Sequence, residues 1–185
     1  SIEHNAVLNP AKWLEKQGFK VTFLPVDEEG FVSPEVLEEA IRKDTILISI
    51  MYANNEIGTI EPIKELSKIA HEHEIIFHTD AVQAFGKIPL ELENVDLLSA
   101  SAHKLYGPKG VGALYIRKGI TISPLIHGAA QEKGLRPGTE NVILSVGLGA
   151  ACKLAAQRLP RDISIMSNMR DRLEDLLFGA LEGLV

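Results

Sequence analysis

Three short stretches of the chain concentrate side chains that can do chemistry. Tyr52-Ala53-Asn54-Asn55-Glu56-Ile57-Gly58-Thr59 follows the apolar run 46–51. Thr79-Asp80-Ala81-Val82-Gln83 follows the run 75–78, and His103-Lys104-Leu105-Tyr106-Gly107-Pro108-Lys109-Gly110 follows the run 97–102. A carboxylate, amides, an imidazole and a lysine therefore stand just beyond three apolar runs. These are the groups used for proton transfer and for covalent attachment through an amine. They act together only if the runs lie side by side.

The pattern around them says that they do. The runs 21–26, 46–51, 75–78, 97–102 and 111–116 are short, several are rich in β-branched residues, and polar or Gly/Pro segments bound them. They read as strands buried on both faces, as in a parallel sheet. Helical periodicity fills the intervals. Residues 6–17 are periodic and stop at Gly18, and Ser33-Pro34 offers an N-cap followed by proline at the first helical position. Pro62 opens a helix with Ile63, Leu66, Ile69 and Ala70 on one side, and 141–156 and 163–184 form two more. Strand and helix in alternation imply an α/β domain with a largely parallel sheet flanked by helices. Ligands of such sheets bind beyond the carboxyl ends of the strands, where the three stretches lie.

Composition narrows the classes. The chain has 185 residues, 45% of them hydrophobic and 24% charged, with a formal net charge of -6. Charges of both signs are interspersed, which argues against a nucleic-acid or membrane-surface protein, since those need a concentrated basic field. No apolar run approaches the length of a membrane span. The lone cysteine, Cys152, excludes an intrachain disulfide and a cysteine-rich metal site. It falls in the small-residue stretch 147–156 and is expected to be a buried core thiol. His71 and His73 are two apart on a helix and point to different sides, so 71–74 reads as a solvated helix end. Gly107-Pro108-Lys109-Gly110 lacks the spacing of a phosphate loop and reads as a turn. The first residues lack the basic and apolar parts of a signal peptide, and both ends read as interruptions of a longer chain.

Four motifs make the reading specific. Asn55-Glu56-Ile57-Gly58, Asp80-Ala81-Val82-Gln83, Ser101-Ala102-His103-Lys104 and Arg136-Pro137-Gly138-Thr139-Glu140-Asn141 occur in this order. In that order they resemble the cysteine desulfurases (NifS/IscS-like), class V members of the fold-type-I pyridoxal-phosphate enzymes. The likeness runs from Ser1 to about Ala156. It implies an aspartate-aminotransferase-like large domain over 1–156, incomplete at its N-terminal side, where another strand and a Gly/Thr helix start would precede Ser1. Residues 157–185 would then lead towards a small C-terminal domain.

The resemblance assigns roles as well. Lys104 would hold the pyridoxal 5'-phosphate and move a proton at the substrate Cα. Asp80 would pair with the ring nitrogen, and Gln83 and Asn55 with the phenolic oxygen. His4 would stack on the ring and act on the substrate thiol, so that Lys104 and His4 are the catalytic pair. Ser101 and His103 would donate to the phosphate, as would Thr139 from the second subunit of a homodimer. The implied reaction converts L-cysteine to L-alanine and passes sulfur to an enzyme cysteine. Iron–sulfur scaffolds or sulfur-carrying tRNA and thio-cofactor proteins would receive it, in the cytoplasm or mitochondrial matrix.

The accepting cysteine and the arginine for the substrate carboxylate fall outside the matched region, and Cys152 is rejected for the former. Alanines at Ala129 and Ala130 depart from the family's glycine-rich segment and exclude backbone shapes open only to glycine. Selenocysteine lyase, another class V aminotransferase, or a catalytically silent fragment are the alternative readings.

Overall fold

In a computed structural model the described residues are 2–181 and Gly183. Helix α1 (Asn5–Lys16) starts at His4 and ends before Gly18, whose φ of +93° suits a residue without Cβ. Ser33 Oγ accepts from Val36 N–H and caps α2 (Pro34–Ala40), with proline in its first turn. Strand β1 (Leu47–Ser49), helix α3 (Ile63–Glu72), and strands β2 (Ile76–Asp80) and β3 (Leu97–Ser101) follow. A short 3-10 helix (Ala102–Leu105) leaves β3, and β4 (Gly112–Ile116) returns beside it. A second 3-10 turn (Glu132–Gly134) precedes α4 (Val142–Ala180).

The sheet has the order β1-β2-β3-β4. The first three strands are parallel, with Ile48 opposite Phe77 and Thr79 opposite Leu98, and β4 is antiparallel to β3. One face carries Ile48, Phe77, Leu98 and Ala100, all buried with Val32, Leu37, Ile63, Leu66 and Ala70. Helix α3 supplies much of that cover, since Ile63, Leu66 and Ala70 lie on one side of it. Alternation along the strands puts Ser49, His78, Asp80, Ser99 and Ser101 on the opposite face. Arg117, just past β4, fastens the sheet's far end. Its guanidinium donates to the carbonyls of Val95, Leu92 and Glu93 and pairs with Asp96 at 3.3 Å, while Asp96 accepts from Phe77 N–H.

The α/β class and the three parallel strands agree with the sequence reading, and four details differ. Residues 21–26 do not form a strand. They lie across an apolar cavity of about 500 Å³ from β1, with Phe23, Leu37 and Ile48 in its walls, and β-structure needs a neighbouring backbone to pair with. Helices expected over 141–156 and 163–184 are one helix, α4, with Pro160 inside it. A proline there removes one backbone donor and does not by itself end a helix. The expected end at Leu184 lies outside the described residues. Strand β4 is largely exposed rather than buried on both faces, with Leu114 and Tyr115 nearly half accessible. Finally, α4 is long and apolar enough, by length and composition, to cross a membrane, although no unbroken apolar run of that length occurs in the sequence. Its N-terminal half nonetheless packs on protein. A Cβ at Gly147 would come within 2.9 Å of Pro108, and one at Gly107 within 3.1 Å of Ala151.

Candidate active site

Because β1, β2 and β3 are parallel, their carboxyl ends open on one edge, and the three chemical stretches meet there. Asp80 ends β2 and is 7% exposed. One carboxylate oxygen accepts from Val82 N–H at 2.9 Å, which caps the turn into 81–86. On the neighbouring strand, Ser101 is the last residue of β3, and Lys104 stands half-buried in the 3-10 helix that follows. That turn closes on Tyr106, a non-glycine residue in the left-handed region (φ 62°) and fully exposed. Gly107 then passes so close to Ala102 O that an added Cβ would sit 3.0 Å from it. Ser101 Oγ and His103 Nδ1 are 2.8 Å apart, an exposed hydroxyl–imidazole pair suited to an anion.

Gln83, in the turn after Asp80, is half-buried, and its Oε1 accepts from Lys87 Nζ at 2.7 Å. Burial holds the Lys87 ammonium below its usual range, and the positive charge of Lys104 adds to the effect. A second lysine thus stands beside the first, and the sequence motifs gave no sign of it. Beneath the site, His78 bridges three strands, with Nδ1 2.8 Å from Ser49 Oγ and Nε2 2.9 Å from Ser99 Oγ. Burial lowers its pKa, against the pull of Asp80.

The N-terminal segment reaches the same edge. His4 is the N-cap of α1, and its Nδ1 accepts from Ala6 N–H at 3.1 Å. The hydrogen of the neutral ring therefore lies on Nε2. Glu3 Oε1 accepts from Met51 N–H at 2.5 Å. Its carboxyl is pushed up to about 7, chiefly by burial, opposed by the Met51 bond and raised further by Asp80 and Glu61.

Of the two adjacent asparagines, Asn54 is buried and Asn55 exposed. Thr139 is exposed, and among the described residues it makes no hydrogen bond with the rest of the site. Its loop is held by Arg136, which donates to the carbonyls of Pro137 and Gly138, while Asn141 caps α4 through Leu144 N–H. Glycine is required at Gly128, where a Cβ would meet Pro137 at 2.7 Å. The positive-φ residues of this stretch are Glu132, Lys133, Gly134 and Gly138, and Ala129 and Ala130 keep ordinary backbone. Cys152 is half-buried rather than fully buried, because this side of α4 is open, and what burial it has pushes its thiol up.

A sheet with a carboxylate and a lysine at the ends of adjacent parallel strands defines the class, and comparison with known proteins gives the family. The aminotransferase class-V pattern matches residues 1–184, and the chain belongs to that pyridoxal-phosphate-dependent family. It is 62% identical over 172 residues to the cysteine desulfurase IscS of Dictyoglomus turgidum, covering 92% of this chain and 44% of that protein. It is 49% identical over 187 residues to the mitochondrial cysteine desulfurase of Arabidopsis thaliana, covering 99% and 41%. A solved NifS-like protein superposes with a TM-score of 0.91 at 49% identity, over 94% of this chain and 49% of that one. The chain thus spans less than half the length of these relatives.

Proposed function

We propose that this chain is the cofactor-holding part of a cysteine desulfurase, which converts L-cysteine to L-alanine and passes the sulfur to an enzyme thiol. The observation that carries the reading is the placement of buried Asp80 at the end of β2 and Lys104 just past the adjacent parallel strand β3, in a chain 62% identical to an IscS.

The residues present fit pyridoxal phosphate. When bound, that group supplies an electron sink for bond breaking at the substrate Cα. Buried Asp80 keeps one oxygen on Val82 N–H and offers negative charge to a protonated ring nitrogen. Gln83 has its oxygen taken by Lys87, so its NH₂ is the end left to meet the phenolic oxygen, with Asn55 as the second amide. Ser101 and His103 would serve the phosphate, with Thr139 of a second copy completing that end in a homodimer. Lys104 Nζ would hold the aldehyde carbon and then carry the Cα proton. His4 would present Nε2–H, the ring nitrogen not engaged by Ala6, as a hydrogen-bond donor to the substrate sulfur. The accepting thiol is not Cys152. It lies on α4, and its thiol is shifted away from the reactive thiolate form. The sulfur taken up by the accepting thiol would pass to iron–sulfur scaffolds or sulfur-carrier proteins of the cytoplasm or mitochondrial matrix.

The test is borohydride reduction of the whole protein with pyridoxal phosphate, followed by peptide mass mapping. A phosphopyridoxyl adduct on Lys104, absent in Lys104→Ala, is the expected result. An adduct on Lys87, or on any other lysine with Lys104 unmodified, overturns the assignment.

A further inference from the structure

Asn54 has no place among the cofactor ligands, yet it is nine-tenths buried at the exit of β1 and uses both ends of its amide. Its Nδ2 donates to Ile2 O at 2.7 Å, two residues before His4. Its Oδ1 accepts from Glu56 N–H at 2.8 Å and from Ile57 N–H at 2.9 Å, closing a turn over Asn55. One side chain therefore ties together two segments about fifty residues apart, each bearing a residue of the proposed site. A second tie runs parallel to the first, from Met51 N–H to Glu3 Oε1. The segment carrying His4 is thus bonded to the exit of β1 through the two residues immediately before His4.

We propose that Asn54 is a positioning residue that sets His4 and Asn55 relative to one another, acting through the Ile2 carbonyl on one side and the Glu56 and Ile57 amides on the other. The proposal rests on the reading of His4 and Asn55 as parts of the cofactor site. The two ends of the amide do separable jobs. Aspartate keeps an oxygen for Glu56 and Ile57 but cannot donate to Ile2, and alanine loses these three bonds together with the weak one from Nδ2 to Met51 Sδ. Asn54→Asp should therefore release the His4 segment while leaving the Asn55 turn closed, and Asn54→Ala should release both. Glu3→Ala cuts the second tie and should release the His4 segment alone.

The experiment is hydrogen exchange by mass spectrometry on the whole protein, with the visible spectrum of added pyridoxal phosphate recorded alongside. In Asn54→Asp the peptide spanning 2–8 should exchange about fivefold faster, as expected for one lost hydrogen bond, with 55–58 unchanged. In Asn54→Ala both peptides should speed up, and the cofactor absorption band should shift. Glu3→Ala should repeat the first pattern, and it carries the test if the Asn54 variants do not fold. Unchanged exchange of 2–8 in Asn54→Asp or in Glu3→Ala overturns the proposal. So does an unshifted cofactor band in Asn54→Ala, provided Lys104→Ala abolishes the reducible adduct. Retention of that adduct in Lys104→Ala would instead sink the cofactor reading, and the exchange result would still stand as a test of the tie itself.

Discussion

Lys87 Nζ donates to Gln83 Oε1 at 2.7 Å, and Lys87 in turn feels the charge of Lys104. The bond fixes which end of the Gln83 amide faces the site, because an amide whose oxygen is taken by an ammonium can turn only its NH₂ to another partner. Lys87→Met keeps the length of the stem and removes the donor. A hydrogen bond to a charged group contributes about 1.5–3 kcal/mol. Part of that is compensated by solvent here, since Lys87 is only half-buried. We expect about tenfold weaker pyridoxal-phosphate binding in Lys87→Met, measured by absorbance titration of the whole protein, with Lys87→Arg closer to wild type. Equal affinity in Lys87→Met would show that Gln83 is oriented without help.

Much of this site was legible in the sequence, because a short apolar run that stops at a polar residue marks a strand's end. Asp80 and Lys104 follow such runs, and the structure puts Asp80 at the end of β2 and Lys104 in the turn just past the neighbouring parallel strand β3. What could not be read were relationships fixed by distant backbone. Asn54 and Asn55 are the same residue type side by side. Which one is buried is decided by the carbonyl of Ile2, far away in sequence. The run 21–26 has the composition of a strand, but pairing depends on a neighbouring backbone, and here a cavity lies between the run and β1. Helix α4 looked divided around Pro160, yet helical bonds on either side carry it through.

Glu3 makes the pH dependence of folding testable. Its carboxyl titrates at about 7 in the fold against 4.5 when free, so the folded state holds a proton that the unfolded chain has lost between those values. Its contribution is therefore complete below about pH 4.5 and is lost as the pH rises through 7. Glu3→Gln keeps an oxygen for Met51 N–H without a charge to bury. We expect it to be near neutral at pH 4.5 and to stabilise by up to about 3 kcal/mol at pH 8, read from denaturant midpoints at the two pH values. Equal effects at both would mean that Glu3 is not the titrating group.

His78 works in the opposite direction. Burial lowers its pKa, so the unfolded chain binds a proton first as the pH falls below 6.5. Stability from the neutral ring between Ser49 and Ser99 is present above 6.5 and is lost towards the lower folded value. His78→Gln, with an amide in place of the ring, should lose stability at pH 8 and flatten the decline below pH 6.5. A decline of unchanged slope in thermal melts would assign it to other groups.

Arg117 tests the far end of the sheet independently of any ligand. It gathers three carbonyls and the Asp96 carboxylate, which also holds Phe77 N–H at 2.9 Å. Arg117→Met leaves Asp96, which is largely buried, without its counter-charge. We expect a loss of about 2–4 kcal/mol in urea unfolding, with the Lys104 adduct still formed in the native protein. A loss under ~1 kcal/mol would show that water replaces the guanidinium at those carbonyls.

The sharpest separation of charge from geometry is Asp80→Asn. Asparagine can still accept from Val82 N–H, so the turn into Gln83 should persist and folding should change little. The negative charge disappears, and with it the partner proposed for a protonated ring nitrogen. Removing a charge aimed at the developing electron density costs on the order of a hundredfold in kcat. The same substitution removes one of the charges that raise Glu3, so the Glu3 carboxyl should titrate lower in the variant. Two measurements on one protein check this: desulfurase turnover, and the pH midpoint of the stability change assigned to Glu3. A fall in turnover with no movement of the Glu3 midpoint would mean that the two carboxylates do not sense each other. A shifted midpoint with full turnover would remove Asp80 from the cofactor's side of the mechanism.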